Sequence, residues 1–387
     1  MQNQYEAEID GLAYGGMGVA RIDGKVCFVE GALPGERVRF VRMSEKKRFV
    51  VGRATEILVP SSHRVKPVCP YYGVCGGCQY QHLSYEKEVY YKAEQVKELL
   101  IRIGGFRDFR FEGVAPSPLQ YGYRSSITLH RSGAGFGYFT NDNKTVIAIS
   151  RCPIAAEAIN RAIGPLDASA GNEDVTLKCD VAGNVWISGH PGHEFFKDDF
   201  LGTSLTFSPL AFSQVNREVA IAMAGKLRAL MAQEARGALF DLYCGVGFFG
   251  LLMRGLFESV VGIDESRAAV ECADAAKMDL GAGNAAFYCG EADDSFPSYY
   301  RKLRGEVNTL IIDPPRSGIS KKLAAWLAGT NDAGTLYYVS CDPATLARDA
   351  RLITQGRAWS LDSVGSFDMF PRTKHVESIA LFKRCIR

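Results

Sequence analysis

The sequence of 387 residues predicts an α/β fold in three parts: a Rossmann-like C-terminal half, an OB-fold-like β-barrel at the N-terminus and a β-rich region between them. Three observations carry that expectation. From about residue 210, short apolar runs (ALFDLY, SVVGID, TLIID, TLYYVS) alternate with helical patterns, as in a parallel sheet covered on both faces. Residues 1–59 alternate apolar and polar positions over short runs broken by Gly and Pro, which suits a small closed barrel. Residues 114–205 are again strand-like and punctuated by glycine. Between the two β-rich stretches, YEKEVYYKAEQVKELLIRIGG (85–105) places Val89, Val96, Leu99, Leu100 and Ile103 at helical spacing, ended by Gly104 and Gly105. The parts are expected at 1–59, at 60–84 with 114–209, and at 85–113 with 210–387.

Composition narrows the class. Hydrophobic residues at 47% and charged residues at 23% describe an ordinary globular protein rather than a disordered one. The N-terminus has no basic region followed by an apolar run, and no stretch approaches a membrane span. A cytoplasmic, reducing location is expected, where cysteines act as ligands, nucleophiles or core residues rather than disulfides. The net charge of +2 says little, but its distribution says more. Between Arg37 and Arg53, seven basic residues (Arg37, Arg39, Arg42, Lys46, Lys47, Arg48, Arg53) face one acid, Glu45. Such a run is either a solvated hairpin or a phosphate-facing surface, and the second reading is preferred.

In the C-terminal half, GALFDLYCGVGFFGLLM (237–253) reads as a strand, a glycine turn at Gly245 and Gly247, and the start of a helix. Asp264 closes the next strand, where an acid suits a ribose diol. The loop has neither the full dinucleotide fingerprint nor the Lys-Ser/Thr of a phosphate loop, so an adenosyl ligand without phosphates fits it, S-adenosylmethionine being the common one. Asp313 ends the strand in TLIIDPPRSG, and the two prolines stiffen the loop that carries it. Arg316 stands where amino-group methyltransferases carry a stacking aromatic. Cys341 ends the strand in YYVSCDPATLARDA, just before a helix opened by Pro343; the positive end of that helix is expected to lower the thiol pKa. An inert core thiol is the alternative. Glu377 precedes a terminal strand, beside Lys374 and His375.

These parts suit one chemistry. The C5 carbon of a pyrimidine becomes nucleophilic when a thiolate adds at C6, and after methyl transfer a base must remove the C5 proton. A methyl-donor site, a cysteine, an acid at the uracil edge and a carboxylate base are all present.

Taken together, SCDPATLARD, DPPRSG, DLYCGVG, FSQVN (212–216) and HVES resemble the RNA 5-methyluridine methyltransferase family, and the resemblance covers essentially the whole chain, including a TRAM-type RNA-binding barrel (GLAYGGMGVAR, KVCFVEGALPGERV). It implies a Rossmann-like S-adenosylmethionine-dependent methyltransferase domain with Cys341 as nucleophile and Glu377 as base. It further implies Gln214, Tyr243, Gly245, Gly247, Asp264 and Glu291 as cofactor contacts, with Asp313 between cofactor and uracil. Phe248 and Glu291 depart from the family pattern, which often has Asn at both places. The substrate would be RNA, ribosomal RNA first and the transfer RNA T-loop second, with Arg124 and the basic run (Arg37, Arg39, Arg42, Lys46, Lys47, Arg48) as contacts. No membrane and no obligate protein partner are expected. A radical enzyme would use a C-x3-C-x2-C set, and a non-catalytic RNA-binding protein would lack the function of Cys341.

CPYYGVCGGCQYQH (69–82) holds Cys69, Cys75 and Cys78 in the crowded spacing of a metal site. Four thiolates hold zinc or an iron–sulfur cluster, and the fourth candidate is Cys152 in SRCPI. The resemblance implies a [4Fe–4S] cluster on Cys69, Cys75, Cys78 and Cys152.

Overall fold

The computed structural model describes residues 4–133, 135–166, 174–192, 195–233, 237–305, 307–330 and 334–385. Its largest sheet has eight strands in the order Ala285–Cys289, Ser259–Asp264, Ala238–Leu242, Asn308–Ile312, Thr335–Ser340, Glu377–Arg384, Trp359–Phe367, Arg110–Ala115. The first five are parallel. Glu377–Arg384 runs antiparallel between Thr335–Ser340 and Trp359–Phe367. Alternate residues of each central strand enter different cores: Leu239, Ile311 and Tyr337 face one side, Phe240, Ile312 and Tyr338 the other. Helices Arg217–Met231, Phe248–Met253 and Arg267–Asp279 cover the first face, and Ala292–Leu303, Lys321–Gly329 and Pro343–Thr354 cover the second. Burial on both faces explains why these strands read as continuous apolar runs. Successive strands step away from Ala238–Leu242 in one direction and then, from Asn308 on, in the other, so a cleft opens at their C-terminal ends.

The N-terminal strands, from Gln4–Glu8 to Phe49–Val59, form a six-stranded sheet around Ile9, Ala20, Cys27, Val29, Val38 and Phe40. Glu36 is buried inside its rim and pairs with Arg64, fixing the exit of the chain toward the cysteine segment. A five-stranded sheet from Ser126 to Ile187 carries its own core of Ile127, Leu129, Ile159 and Leu177. The helical pattern at 85–105 is a helix, Tyr85–Leu99, that continues into a wider turn, Leu100–Gly104, ended by Gly105 at φ 78°. No helix among the described residues is long and apolar enough to cross a membrane.

Candidate active site

Strand register brings the chemistry together. The last pair between Thr335–Ser340 and Glu377–Arg384 is Ser340 with Ser378, so the next step along each chain sets Cys341 across from Glu377. Asp313 leaves the neighbouring strand Asn308–Ile312 at the same edge. The Arg316 side chain, four residues into the proline loop by sequence register from Ile312, lies close enough to the Cys341 thiol for its charge to favour the thiolate.

Local chemistry fixes each group. Cys341 precedes helix Pro343–Thr354, whose N-cap Asp342 accepts the Thr345 N–H at 2.8 Å. The proline loop is tied to this helix: Thr345 donates to the Arg316 carbonyl (3.1 Å), Arg348 to the Ser317 carbonyl (2.7 Å), and Ile319 N–H to Asp349 (3.0 Å). Gly318 has φ +78° and a Cβ there would lie 2.2 Å from Asp349 Oδ2, so only glycine fits the bend. Glu377 follows a loop held by a buried ion network. Lys92 Nζ donates to Glu88 (2.8 Å) and Asp368 (2.7 Å), and Arg372 N–H donates to Glu88 (2.6 Å). Burial opposes the charge on Lys92, but Glu88 and Asp368 hold it protonated above its ordinary value.

The site is unusually acid-rich for its depth. Burial pushes Asp313 up to about 7. Burial, reinforced by the charge of Asp313, pushes Glu377 up to about 8, with Arg316 opposing. The Cys341 thiol is pushed up to about 12 by burial and then by Glu377, against the pull of Arg316. This overturns the lowering expected from the helix N-terminus: desolvation beside two acids outweighs the helix end.

The adjoining cleft is lined by Gln214, Tyr243, Gly245, Phe248 and Asp313, with Phe200, Phe207 and Phe212 opposite. Gly247 takes φ +77°, and a Cβ there would meet Phe287 at 2.9 Å, so the turn demands glycine. At Gly245 (φ +53°) a Cβ would meet nothing within 4 Å, which leaves the cleft face of the turn open to a ligand. Tyr243 also has positive φ, 60°, and its hydroxyl donates to Asp293 at 3.3 Å. Asp264, expected to contact a ribose diol, accepts the N–H groups of Gly245 (2.8 Å) and Ser266 (2.9 Å) and so braces the glycine turn. Glu291 is the residue before helix Ala292–Leu303 and lies outside the lining of this cleft. The bulky Phe248 forms part of the cleft wall, packing edge-on against Phe200 at 5.0 Å.

A second cavity, of about 430 Å³, is lined by Cys69, Cys75, Cys78 and Cys152 together with Arg124, Arg316, Lys374 and His375. Among the described residues, no three His, Cys, Asp or Glu side chains converge closely enough to hold a single metal ion. Asn160 clamps the Cys152 loop, accepting its N–H at 2.8 Å, and Gln81 accepts the Cys69 N–H at 3.0 Å. Arg124 donates from Nε to the Ser126 carbonyl at 2.9 Å, leaving its outer nitrogens toward the cavity.

The basic run on the barrel is less bare than it reads. Arg37 and Arg39 pair with Glu6, Arg39 also with Glu56, and Arg42 with Glu45. Local counting missed Glu6 and Glu56 because strand pairing brings them in. Lys46, Lys47 and Arg48 lie at the exposed hairpin tip, and among the described residues no ion pair involves them. Arg316 and the Lys92 network are the functional features that sequence reasoning did not assign. The only signal for Arg316 was its place after the two prolines.

A seven-strand-plus-one sheet with a glycine-turn cleft at its reversal point defines a methyltransferase of the S-adenosylmethionine-dependent class. Residues 299–385 match the family model described as tRNA (Uracil-5-)-methyltransferase, and residues 3–49 match the TRAM domain. The chain is 30% identical to the 23S rRNA (uracil(1939)-C(5))-methyltransferase RlmD of Alkalilimnicola ehrlichii, covering 98% of this chain and 96% of that protein. It is 32% identical to the protein of the same name from Acidithiobacillus ferrooxidans, covering 97% and 96%. The fold matches the tRNA (uracil-54, C5)-methyltransferase of Pyrococcus abyssi in complex with S-adenosyl-L-homocysteine, with a TM-score of 0.74 at 24% identity over 98% of this chain and 100% of that one. The chain belongs to the RNA uracil-C5 methyltransferase family, with a TRAM domain at its N-terminus.

Proposed function

We propose that the protein methylates C5 of a uridine in 23S ribosomal RNA, with Cys341 as nucleophile and Glu377 as base. The observation that carries this reading is the convergence of Cys341, Glu377, Asp313 and Arg316 beside the glycine-turn cleft. Bound S-adenosylmethionine supplies an electrophilic methyl group on a sulfonium; Gln214, Tyr243, Gly245 and Asp313 would hold it, with Asp264 and Gly247 shaping the turn. The ribosomal target rests on the near full-length relatives with that name.

The thiol proton of Cys341 leaves to solvent, and Arg316 stabilises the resulting thiolate. Sγ bonds to C6 of the extruded uracil, and the C5–C6 π pair becomes an enolate. C5 then takes the methyl group, its bond to the donor sulfur breaking. Glu377, as carboxylate, removes the C5 proton; that C–H pair rebuilds the C5–C6 double bond while C6–S breaks and frees the thiolate. Asp313, raised to about 7 by burial and so partly protonated at neutral pH, can in its acid form donate a hydrogen bond to the uracil edge. Phosphates would be gripped by Lys46, Lys47 and Arg48, and Arg124 would meet RNA at the mouth of the cysteine cavity.

The four cysteines would hold a [4Fe–4S] cluster. What supports it is a cavity of about 430 Å³ lined by all four thiols, three from one short segment and the fourth from the loop at 152. Such a cluster would tie the segment at 69–78 to the loop at 152.

The test is methyl transfer from labelled S-adenosylmethionine to unmodified 23S ribosomal RNA. Label in 5-methyluridine is expected with the wild type and none with Cys341→Ala. Label entering only transfer RNA would move the target, and a fully active Cys341→Ala protein would defeat the mechanism.

A further inference from the structure

The barrel is docked against the helix Tyr85–Leu99 of the catalytic half. Its turn at Leu12–Gly16 is docked on the catalytic half: Gln95 of helix Tyr85–Leu99 donates to the carbonyls of Leu12 and Ala13, both at 3.1 Å, and Tyr80 donates to the same Gln95. Gly16, at φ +86°, comes so close that a Cβ would lie 3.0 Å from Gln79 Cβ. Gln79 and Tyr80 in turn donate their N–H groups to the Arg372 carbonyl, and Gln79 accepts the Lys374 N–H at 2.9 Å. The turn is therefore stitched to the loop that delivers Glu377.

Tyr14 sits at the centre of that turn. Its hydroxyl is buried from solvent and has no hydrogen-bond partner among the described residues. It lies near enough to Asp342, Cys341 and Arg316 to feel their charges. His375, in the loop before Glu377, has a second buried polar atom without a partner among the described residues, Nδ1, and its ring feels the charges of Arg316 and Asp342. A buried donor or acceptor without a partner costs about 1–3 kcal/mol, so two beside one nucleophile mark a place that a ligand completes. Burial, with the Asp342 charge added, keeps the phenol protonated and available as a donor.

Building on the uridine-methylating site described above, we propose that Tyr14 is a catalytic residue supplied by the barrel, its hydroxyl hydrogen-bonding the extruded uridine nucleotide in the Cys341 pocket. The barrel then does more than hold phosphates: it contributes one wall of the nucleotide pocket. A uridine that enters from the RNA satisfies the Tyr14 hydroxyl, and an empty pocket leaves it unpaired.

The experiment compares single-turnover methyl transfer by full-length wild type, Tyr14→Phe, Cys341→Ala and a barrel-tip triple variant (Lys46→Ala, Lys47→Ala, Arg48→Ala) on unmodified 23S ribosomal RNA. RNA affinity and thermal midpoint are read on the same preparations. Tyr14→Phe is expected to lose about ten- to a hundredfold in the rate constant, the worth of one buried hydrogen bond, with affinity and midpoint unchanged. The triple variant should lose RNA affinity, the readout that Tyr14→Phe is expected to leave unmoved. A Tyr14→Phe protein with the wild-type rate constant overturns the inference, as does a loss of rate matched by a fallen midpoint, which marks packing alone. Either result leaves Cys341→Ala inactive and the reading of the site standing; an active Cys341→Ala protein removes both.

Discussion

Glu377 stays protonated in the folded protein at neutral pH, whereas a carboxyl in the unfolded chain is already ionised. The sign of the consequence follows. Between the ordinary carboxylate value and about 8 the native state binds the extra proton, so stability falls as pH rises through that window and levels off above it. Asp313, raised to about 7, adds to the same slope. Glu377→Gln removes one of these protons from the balance, and its denaturation midpoint should drop less than that of the wild type between pH 6 and pH 9. Catalysis has the opposite slope: proton removal needs the carboxylate, so the methylation rate should climb toward pH 8, which a pH–rate profile would show. With C5 methylated and no base to finish, Glu377→Gln is also expected to trap the protein on RNA as a denaturation-resistant adduct that Cys341→Ala cannot form. The residue types for this chemistry were legible in the sequence. Their protonation was not, because burial beside Asp313 and Arg316 is a property of the folded neighbourhood rather than of the helix that follows Cys341.

Elements were legible where the signal is local. Apolar runs and glycine turns marked the parallel strands, and the end of helix Tyr85–Leu99 followed from Gly104 and Gly105. Long-range partners were not. Lys92 meets Asp368 across 276 residues of sequence, and Arg39 meets Glu6 only through strand pairing. The Lys92 network joins that helix to the loop before Glu377, so its loss should be felt at both. Lys92→Met leaves Asp368 buried without its cation and Glu88 with Arg372 alone, at a cost of about 3–5 kcal/mol. A lowered urea midpoint together with a reduced rate constant at saturating RNA is expected, and a variant as stable as the wild type would refute the account.

At the scale of the whole molecule, the cysteine segment joins the central sheet, the barrel and the loop before Glu377. Gly76 donates to the Phe139 carbonyl in the central sheet, Gly16 of the barrel packs on Gln79, and Gln79 and Tyr80 bond the Arg372 carbonyl. If four cysteines hold a cluster there, Cys152→Ser should bleach absorbance near 400 nm and lower the thermal midpoint, because the loop at 152 loses its anchor to 69–78. RNA binding should respond differently: removing Lys46, Lys47 and Arg48 is expected to flatten the slope of log affinity against log salt by about 2–3 while leaving the spectrum intact.

The strand Glu377–Arg384 has a further meaning for biogenesis. It lies between two strands that precede it in the chain, so Thr335–Ser340 and Trp359–Phe367 both wait with open edges until it arrives. During synthesis these edges are exposed to neighbouring chains until the strand Glu377–Arg384 has followed them out. The segment that closes the gap is the one that begins with Glu377.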